Sequence, residues 1–273
     1  MNPEHETHDT IDSAELKTCC ANAYQSDLAR VLLGDSFHPG GVKLTEHLGR
    51  LLGLSPQQRI LDIASGQGMS AITLAQRFGC QVLGIDYGEE AVQKAMQAAE
   101  AAGVAHLVSF QQGDAERLPV PECTFDAVIC ECAFCTFPDK PTAAAEFMRV
   151  LKSGGRVGLS DLTRTGRVPD DLQGLLAWIA CIADAQPVEE YTRYLTNAGL
   201  SIDLVETHDS ALVEMVQQIQ GKLLGVELLA RIKKIELPPA IDFEQAKALA
   251  KSASTAIRAR QFGYVVITAG KPA

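Results

Sequence analysis

Hydrophobic positions along this chain switch between two periods. Short unbroken apolar runs, such as Ile60, Leu61 and Ile63 or Val82, Leu83 and Ile85, predict strands buried on both faces. Longer segments between them carry apolar residues every three or four positions and predict amphipathic helices. Helices are expected from Ser13, as N-cap, to residue 33, then over 44–52, Met69–Phe78, 91–102 and 142–151. Strands are expected over 60–63, 81–86, 107–110 and 125–130, and in a fifth run ending at Asp161. Gly103 closes one helix and Gly154-Gly155 another. Beyond Asp161 the pattern predicts a loop over 163–169, helices over 171–182 and 188–198 and a sixth strand over 201–206. Helices over 211–232 and 243–256 and a last strand over 262–268 complete it. This alternation predicts an α/β fold, a doubly wound parallel sheet with helices on both faces.

The most informative turn is Asp62-Ile63-Ala64-Ser65-Gly66-Gln67-Gly68, between the first strand and a helix. Gly66 and Gly68 let the backbone approach a ligand, and the helix N-terminus points at whatever lies on the turn. That combination predicts a nucleotide-like cofactor. Asp86 ends the second strand, where a carboxylate accepts ribose hydroxyls. Asp114 follows the third strand, where it can accept an adenine amino group. As structural alternatives, both acids can cap the helices that follow.

The chain resembles the class I S-adenosylmethionine-dependent methyltransferases. The residues that carry the resemblance are Leu61 to Gly68, Ile85-Asp86, Gly113-Asp114-Ala115-Glu116-Arg117-Leu118-Pro119, Phe125-Asp126-Ala127-Val128 and Arg149 to Arg156. They span about the middle half of the chain. The resemblance implies S-adenosylmethionine as cofactor, held by Asp62, Ala64, Gly66, Gly68, Asp86, Tyr87, Asp114, Ala115 and Glu131. It also implies seven strands, a Rossmann-like sheet with its last strand antiparallel. Ala64 stands where the family often has its first glycine, a tolerated replacement if φ is negative there. A dehydrogenase is disfavoured, because Ala71 occupies the third glycine position of the dinucleotide fingerprint and Asp62 has no role in it. The expected organisation is one methyltransferase domain over 1–273. It comprises a helical cap over 1–55, a cofactor-binding core over 56–165 and lid segments over 166–200 and 209–258.

Composition narrows the partners. At 47% hydrophobic and 21% charged residues, the chain is expected to pack a globular core. A formal net charge of −10 argues against nucleic acid or an anionic membrane surface as partner. The acidic, polar start is read as neither a signal nor a transit peptide, and a cytoplasmic location is expected.

Eight cysteines are many for such a chain, and reduced thiols are expected in that compartment. Cys80 and Cys130 read as core and Cys123 as an exposed bystander. Cys132 begins where the fourth strand ends, at the mouth of the cofactor pocket. Cys132 and Cys135 form a C-x-x-C, but no second ligand pair for zinc accompanies it. Cys19-Cys20 and Cys181 lie on segments expected to be helical and outside the core. Three converging thiolates would hold a trivalent soft ion as a pyramid, its lone pair free to attack a methyl group. This arrangement resembles the arsenite methyltransferases, through Leu16-Lys17-Thr18-Cys19-Cys20, a strand-end cysteine followed by Phe137-Pro138-Asp139-Lys140, and Cys181 near Trp178. The resemblance places the catalytic, metalloid-binding thiols on Cys20 (or Cys19), Cys132 and Cys181, with Cys135 also within the candidate set for arsenic(III). It implies an arsenical substrate and a thiol reductant. The alternatives are methylation of a small organic molecule and a non-catalytic metalloid-binding protein. The six histidines show no catalytic pairing. His38 is read as a residue able to close over the substrate or a surface group, and Tyr24 and Phe134 as pocket or core.

Overall fold

The structure, a computed structural model, describes residues 12–25, 37–172, 181–231 and 243–273. The order of elements is α1 (Ser13–Gln25), α2 (Gly41–Leu51), β1 (Arg59–Ile63), α3 (Met69–Phe78), β2 (Gln81–Asp86), α4 (Glu89–Ala101) and β3 (Val108–Gln112). There follow β4 (Phe125–Glu131), α5 (Lys140–Val150), β5 (Leu151–Arg164), α6 (Val188–Asn197), β6 (Ser201–Thr207), α7 (Asp209–Arg231), α8 (Phe243–Arg258) and β7 (Phe262–Gly270). The seven strands form one sheet in the order β3-β2-β1-β4-β5-β7-β6. β1 to β5 pair in parallel, and β7 runs antiparallel to both β5 and β6. This is the Rossmann-like sheet, with an antiparallel last strand, that the family resemblance implied.

The apolar runs explain the layering. Ile60, Leu61 and Ile63 are fully buried between β2 and β4, because helices cover both faces of the central strand. Each such side chain contributes roughly 1.5–3 kcal/mol by leaving water. α3 presents Ala71, Ile72, Leu74 and Ala75 to the sheet and stops at Gly79, whose left-handed backbone (φ 68°) lets its amide donate to the Ala75 carbonyl. α5 starts at Asp139, whose side chain accepts from the Thr142 amide.

Two expectations need correction here. Gly154-Gly155 do not close a helix; α5 ends at Val150 and β5 begins at once at Leu151. The glycines lie where the β4–β5 register jumps from Phe125↔Leu151 to Ala127↔Arg156, so they mark a bulge inside a long strand. Likewise residues 163 and 164 continue β5 instead of starting a loop, because Thr163 and Arg164 pair with Gly263 and Phe262 of β7. The helix expected over 171–182 falls mostly outside the described residues, as does Trp178. Its described ends are a 3-10 turn (Asp170–Leu172) and a turn at Cys181. Among the described residues no helix is long and apolar enough to cross a membrane.

Candidate active site

The carboxyl ends of β1, β2 and β4 open on one cleft, which α1 and the segment before α2 cover. It opens to solvent and is lined from α1, the β1–α3 turn and the end of β4. Its floor is the β1–α3 turn. There Ala64, Gly66 and Gly68 all adopt left-handed backbone, at φ 57°, 52° and 84°. The condition set for alanine at position 64 is therefore not met: Ala64 sits in a region that costs an L-residue about 1–2 kcal/mol. Gly68 is required for a reason other than ligand approach. A Cβ there would lie 2.5 Å from the Phe110 ring and 3.0 Å from Ala95. At Gly66 the nearest atom to such a Cβ is Phe37 at 4.0 Å, so that glycine does border open cleft.

Three acids converge on this turn. Asp86 accepts from the amides of Gly66 and Gly88, each at 2.8 Å. Burial raises its pKa, opposed by those two amide bonds. Glu131 Oε2 accepts from Ser70 Oγ at 2.6 Å and Thr45 Oγ1 at 2.9 Å, with His38 Nε2 at 3.6 Å. Asp62 is pushed well above the usual carboxylate range by burial and by its neighbours Glu131 and Asp86. Asp62 Oδ2, Glu131 Oε1 and Ser65 Oγ are buried without a hydrogen-bond partner in the protein, and all three residues line the cleft. Buried acceptors left open are costly unless a ligand donates to them. A ligand carrying an ammonium and a sulfonium fits this acidic, unsatisfied wall.

Asp114 is placed differently from its expected role. Lys17 of α1 binds it at 2.8 Å and binds Glu116 at 2.5 Å, and Asp114 also accepts from the Glu116 amide. Burial works against the Lys17 charge, but the hydrogen bonds and charges of the two acids outweigh it and raise its pKa. Lys17 lines the cleft, whereas Asp114, Ala115 and Gly68 do not; Asp62, Ala64, Gly66, Asp86, Tyr87 and Glu131 do.

The cysteines separate into two groups. Cys80 and Cys130 are core, and Cys123 is exposed. Cys20 and Cys132 line the cleft. Cys181 lies directly behind Cys132, Sγ to Sγ 3.9 Å, and is buried at 2% exposure. It is not on a helix as expected; both Cys132 (φ 53°) and Cys181 (φ 62°) are held in left-handed backbone, a strained state for a side chain with a Cβ. Cys135 is buried beside them, its amide donating to Asp161 at 2.9 Å. Hydrogen bonds from Cys132 and Cys135 lower the Cys181 thiol well below its usual range, against burial, helped by Tyr24 (3.5 Å) and the Lys140 charge. The Cys132 carbonyl, 3.3 Å from Cys181 Sγ, opposes that charge and suits the thiol form. Cys132 is raised first by donating to Cys181, and Cys135 first by burial. Cys20 is pushed up to about 12 by burial and then by the charges of Cys181 and Cys19. Cys19 does not line the cleft.

Sequence reasoning missed several groups. Ser70 and Thr45 carry no motif, and the fold alone brings their hydroxyls to Glu131. His38 and Tyr24, left between pocket and other roles, both line the cleft, while Phe134 is core. Outside the cleft, His47 and His208 meet through Glu206, because α2 and the end of β6 are neighbours only in the fold.

Comparison with known proteins agrees with this geometry. Residues 60–155 match the family described as "Methyltransferase domain". The methyltransferase GfsG of Streptomyces halstedii is 26% identical over 264 residues, 90% of this chain and 91% of that protein. An arsenite methyltransferase of Halobacterium salinarum is 33% identical over 149 residues, 54% of this chain and 38% of that protein. Two solved structures share the fold. One is the [4+2]-cyclase SpnF (TM-score 0.76, 22% identity, 96% of this chain and 97% of that one). The other is phosphoethanolamine N-methyltransferase 2 of Haemonchus contortus, in complex with S-adenosylhomocysteine. It has a TM-score of 0.80 at 18% identity, over 97% of this chain and 61% of that one. This chain is a class I, S-adenosylmethionine-dependent methyltransferase.

Proposed function

We propose that the methyl acceptor is a trivalent arsenical held by the cleft-side sulfurs of Cys20 and Cys132, with Cys181 completing the set from behind. The observation that carries this reading is the 3.9 Å approach of Cys132 and Cys181 beside a cleft that Cys20 also lines. Soft thiolates select soft thiophilic ions, and binding releases the thiol protons. That release matters here, because Cys20 and Cys132 hold their protons tightly until a cation replaces them.

S-adenosylmethionine supplies an electrophilic methyl group on a sulfonium. Asp62 and Glu131 would face its cationic portion with their open oxygens, and Asp86 and Tyr87 would bound its ribose. Asp114 would reach the adenine amino group only with Lys17 displaced or shared. The chain's contribution is then positioning and exclusion of water, since arsenic(III) attacks through a lone pair and needs no base. A thiol reductant would regenerate the cysteines. The test is formation of methylated arsenic from arsenite, cofactor and reductant by purified enzyme, with Cys132→Ser and Cys181→Ser expected to lose it. Product formation unaffected by either change would remove the proposal.

A second reading, methylation of a small organic molecule, rests on a different observation. GfsG aligns over 90% of this chain, whereas the arsenite enzyme aligns over 54% of it. His38, 3.6 Å from Glu131 and lining the cleft, would then be the candidate base. His38→Ala separates the two readings: it removes organic methylation and spares arsenic methylation.

A further inference from the structure

His47, Glu206 and His208 meet at the edge of the sheet, and none of them lines the cleft. His47 Nε2 lies 2.6 Å from Glu206 Oε2, and His208 Nε2 lies 3.3 Å from the same oxygen. One ligand atom from each residue falls within 4.8 Å of the others, and the imidazole centroids are 5.6 Å apart. We propose that these three side chains bind a divalent transition cation of borderline softness, with zinc the natural probe.

The donor set selects the cation. Two imidazoles and one carboxylate match zinc, copper or nickel, whereas calcium and magnesium require oxygen ligands. Zinc bonds of about 2.0–2.1 Å in a tetrahedron set ligand atoms roughly 3.3 Å apart, within the span observed here. Small rotations of the side chains therefore seat the ion. The supports are rigid. His47 is on α2, whose Leu44 and Leu48 are buried in the core. Glu206 is paired with Val266 inside the sheet, and the His208 amide donates to the Tyr264 carbonyl at 2.7 Å. The three side chains are between 25% and 33% exposed, which gives the ion a way in and leaves a position for water.

Such an ion ties α2 to the edge strand β6. Thr45 lies two positions before His47 on the same helix and donates to Glu131 in the cleft. The cation site thereby fixes the helix that shapes one wall of the cleft. The inference is independent of which substrate is methylated. The rival explanation is a histidine–glutamate hydrogen-bond cluster that needs no metal, and a conservative variant separates the two.

The experiment is calorimetric titration of the full chain with zinc chloride. It compares wild type, His47→Ala, His47→Gln, His208→Ala and Cys132→Ser, the last because thiolates also take zinc. One zinc equivalent should persist in Cys132→Ser and weaken by at least about tenfold in all three histidine variants. His47→Gln preserves a hydrogen-bonding side chain and must still lose the ion. Zinc should raise the melting temperature of wild type and Cys132→Ser, and raise it less in the histidine variants. Equal zinc affinity and stoichiometry in wild type and the histidine variants, or no zinc bound by Cys132→Ser, would overturn the proposal.

Discussion

The sulfurs of Cys132 and Cys181, 49 positions apart in the chain, stand 3.9 Å from each other, and both residues carry positive φ. Backbone strain at two facing residues is seldom retained without a purpose in the site they form. Here it turns one sulfur to the end of β4 and brings the other in behind it.

The acidic wall makes the first prediction. Asp62 carries an unpaired buried oxygen and is repelled by Glu131 and Asp86. Asp62→Asn removes a carboxyl that can ionise against a cationic ligand, at a site whose burial disfavours that charge in the ligand-free protein. Calorimetry should show S-adenosylmethionine binding weakened about tenfold, near 1.4 kcal/mol. The melting temperature of the ligand-free protein should rise. A fall in both quantities would show that the carboxylate supports the fold and would remove the assigned role.

Asp161 gives a pH dependence. It is fully buried, and its pKa is raised to about 7 by burial and by the Cys181 charge beside it. Across about pH 4 to 7 the folded state holds a proton that the unfolded chain has released, so this group's contribution to stability falls as pH rises. The ceiling is roughly 4 kcal/mol. Below pH 4 both states are protonated and the contribution is constant. The lowered Cys181 thiol acts in the opposite sense, so the comparison must be between wild type and Asp161→Asn. Urea unfolding at pH 5 and pH 7.5 should show the variant gaining on wild type at the higher pH. Parallel behaviour of the two proteins would contradict this.

Ala64 is expected to respond against the usual trend. Alanine to glycine ordinarily destabilises, but at φ 57° the left-handed penalty of about 1–2 kcal/mol exceeds the added entropy of the unfolded chain, about 0.4–1 kcal/mol. Ala64→Gly should raise the melting temperature by a few degrees. Gly68→Ala should lower it, because the new methyl meets Phe110 and Ala95. Differential scanning calorimetry of both variants checks the pair.

Lys17 anchors α1 to the cleft through Asp114 and Glu116. Both partners are partly exposed, so the pair contributes about 1 kcal/mol or less to global stability. Its larger effect is local. Lys17→Met should speed amide exchange across α1, Asp114→Asn should do so to a lesser degree, and the double change should add little to Lys17→Met. Unchanged exchange in Lys17→Met would mean that other contacts hold the helix.

Much of the fold was legible because local and global requirements agree. Met69–Phe78 and Gln81–Asp86 read correctly to the residue, since their apolar spacing is the spacing of the surface they bury. β5 did not, since a glycine pair reads alike as a helix stop and as a strand bulge until its partners β4 and β7 are known. The site was legible in its strand-end residues, Asp86, Glu131 and Cys132, whose place follows from topology. Cys181 was found by type, but its turn and positive φ were not, because no local pattern encodes them. The tie between Lys17 and Asp114 spans 97 positions, and that between His47 and Glu206 spans 159, separations at which a single sequence carries no pairing signal.

The most direct test counts the atoms around the metalloid. X-ray absorption at the arsenic edge, on arsenite bound to the purified protein, should report three sulfur neighbours. Cys20→Ser, Cys132→Ser and Cys181→Ser should each leave two. Arsenic surrounded by oxygen, or a sulfur count that none of these changes lowers, would contradict the account.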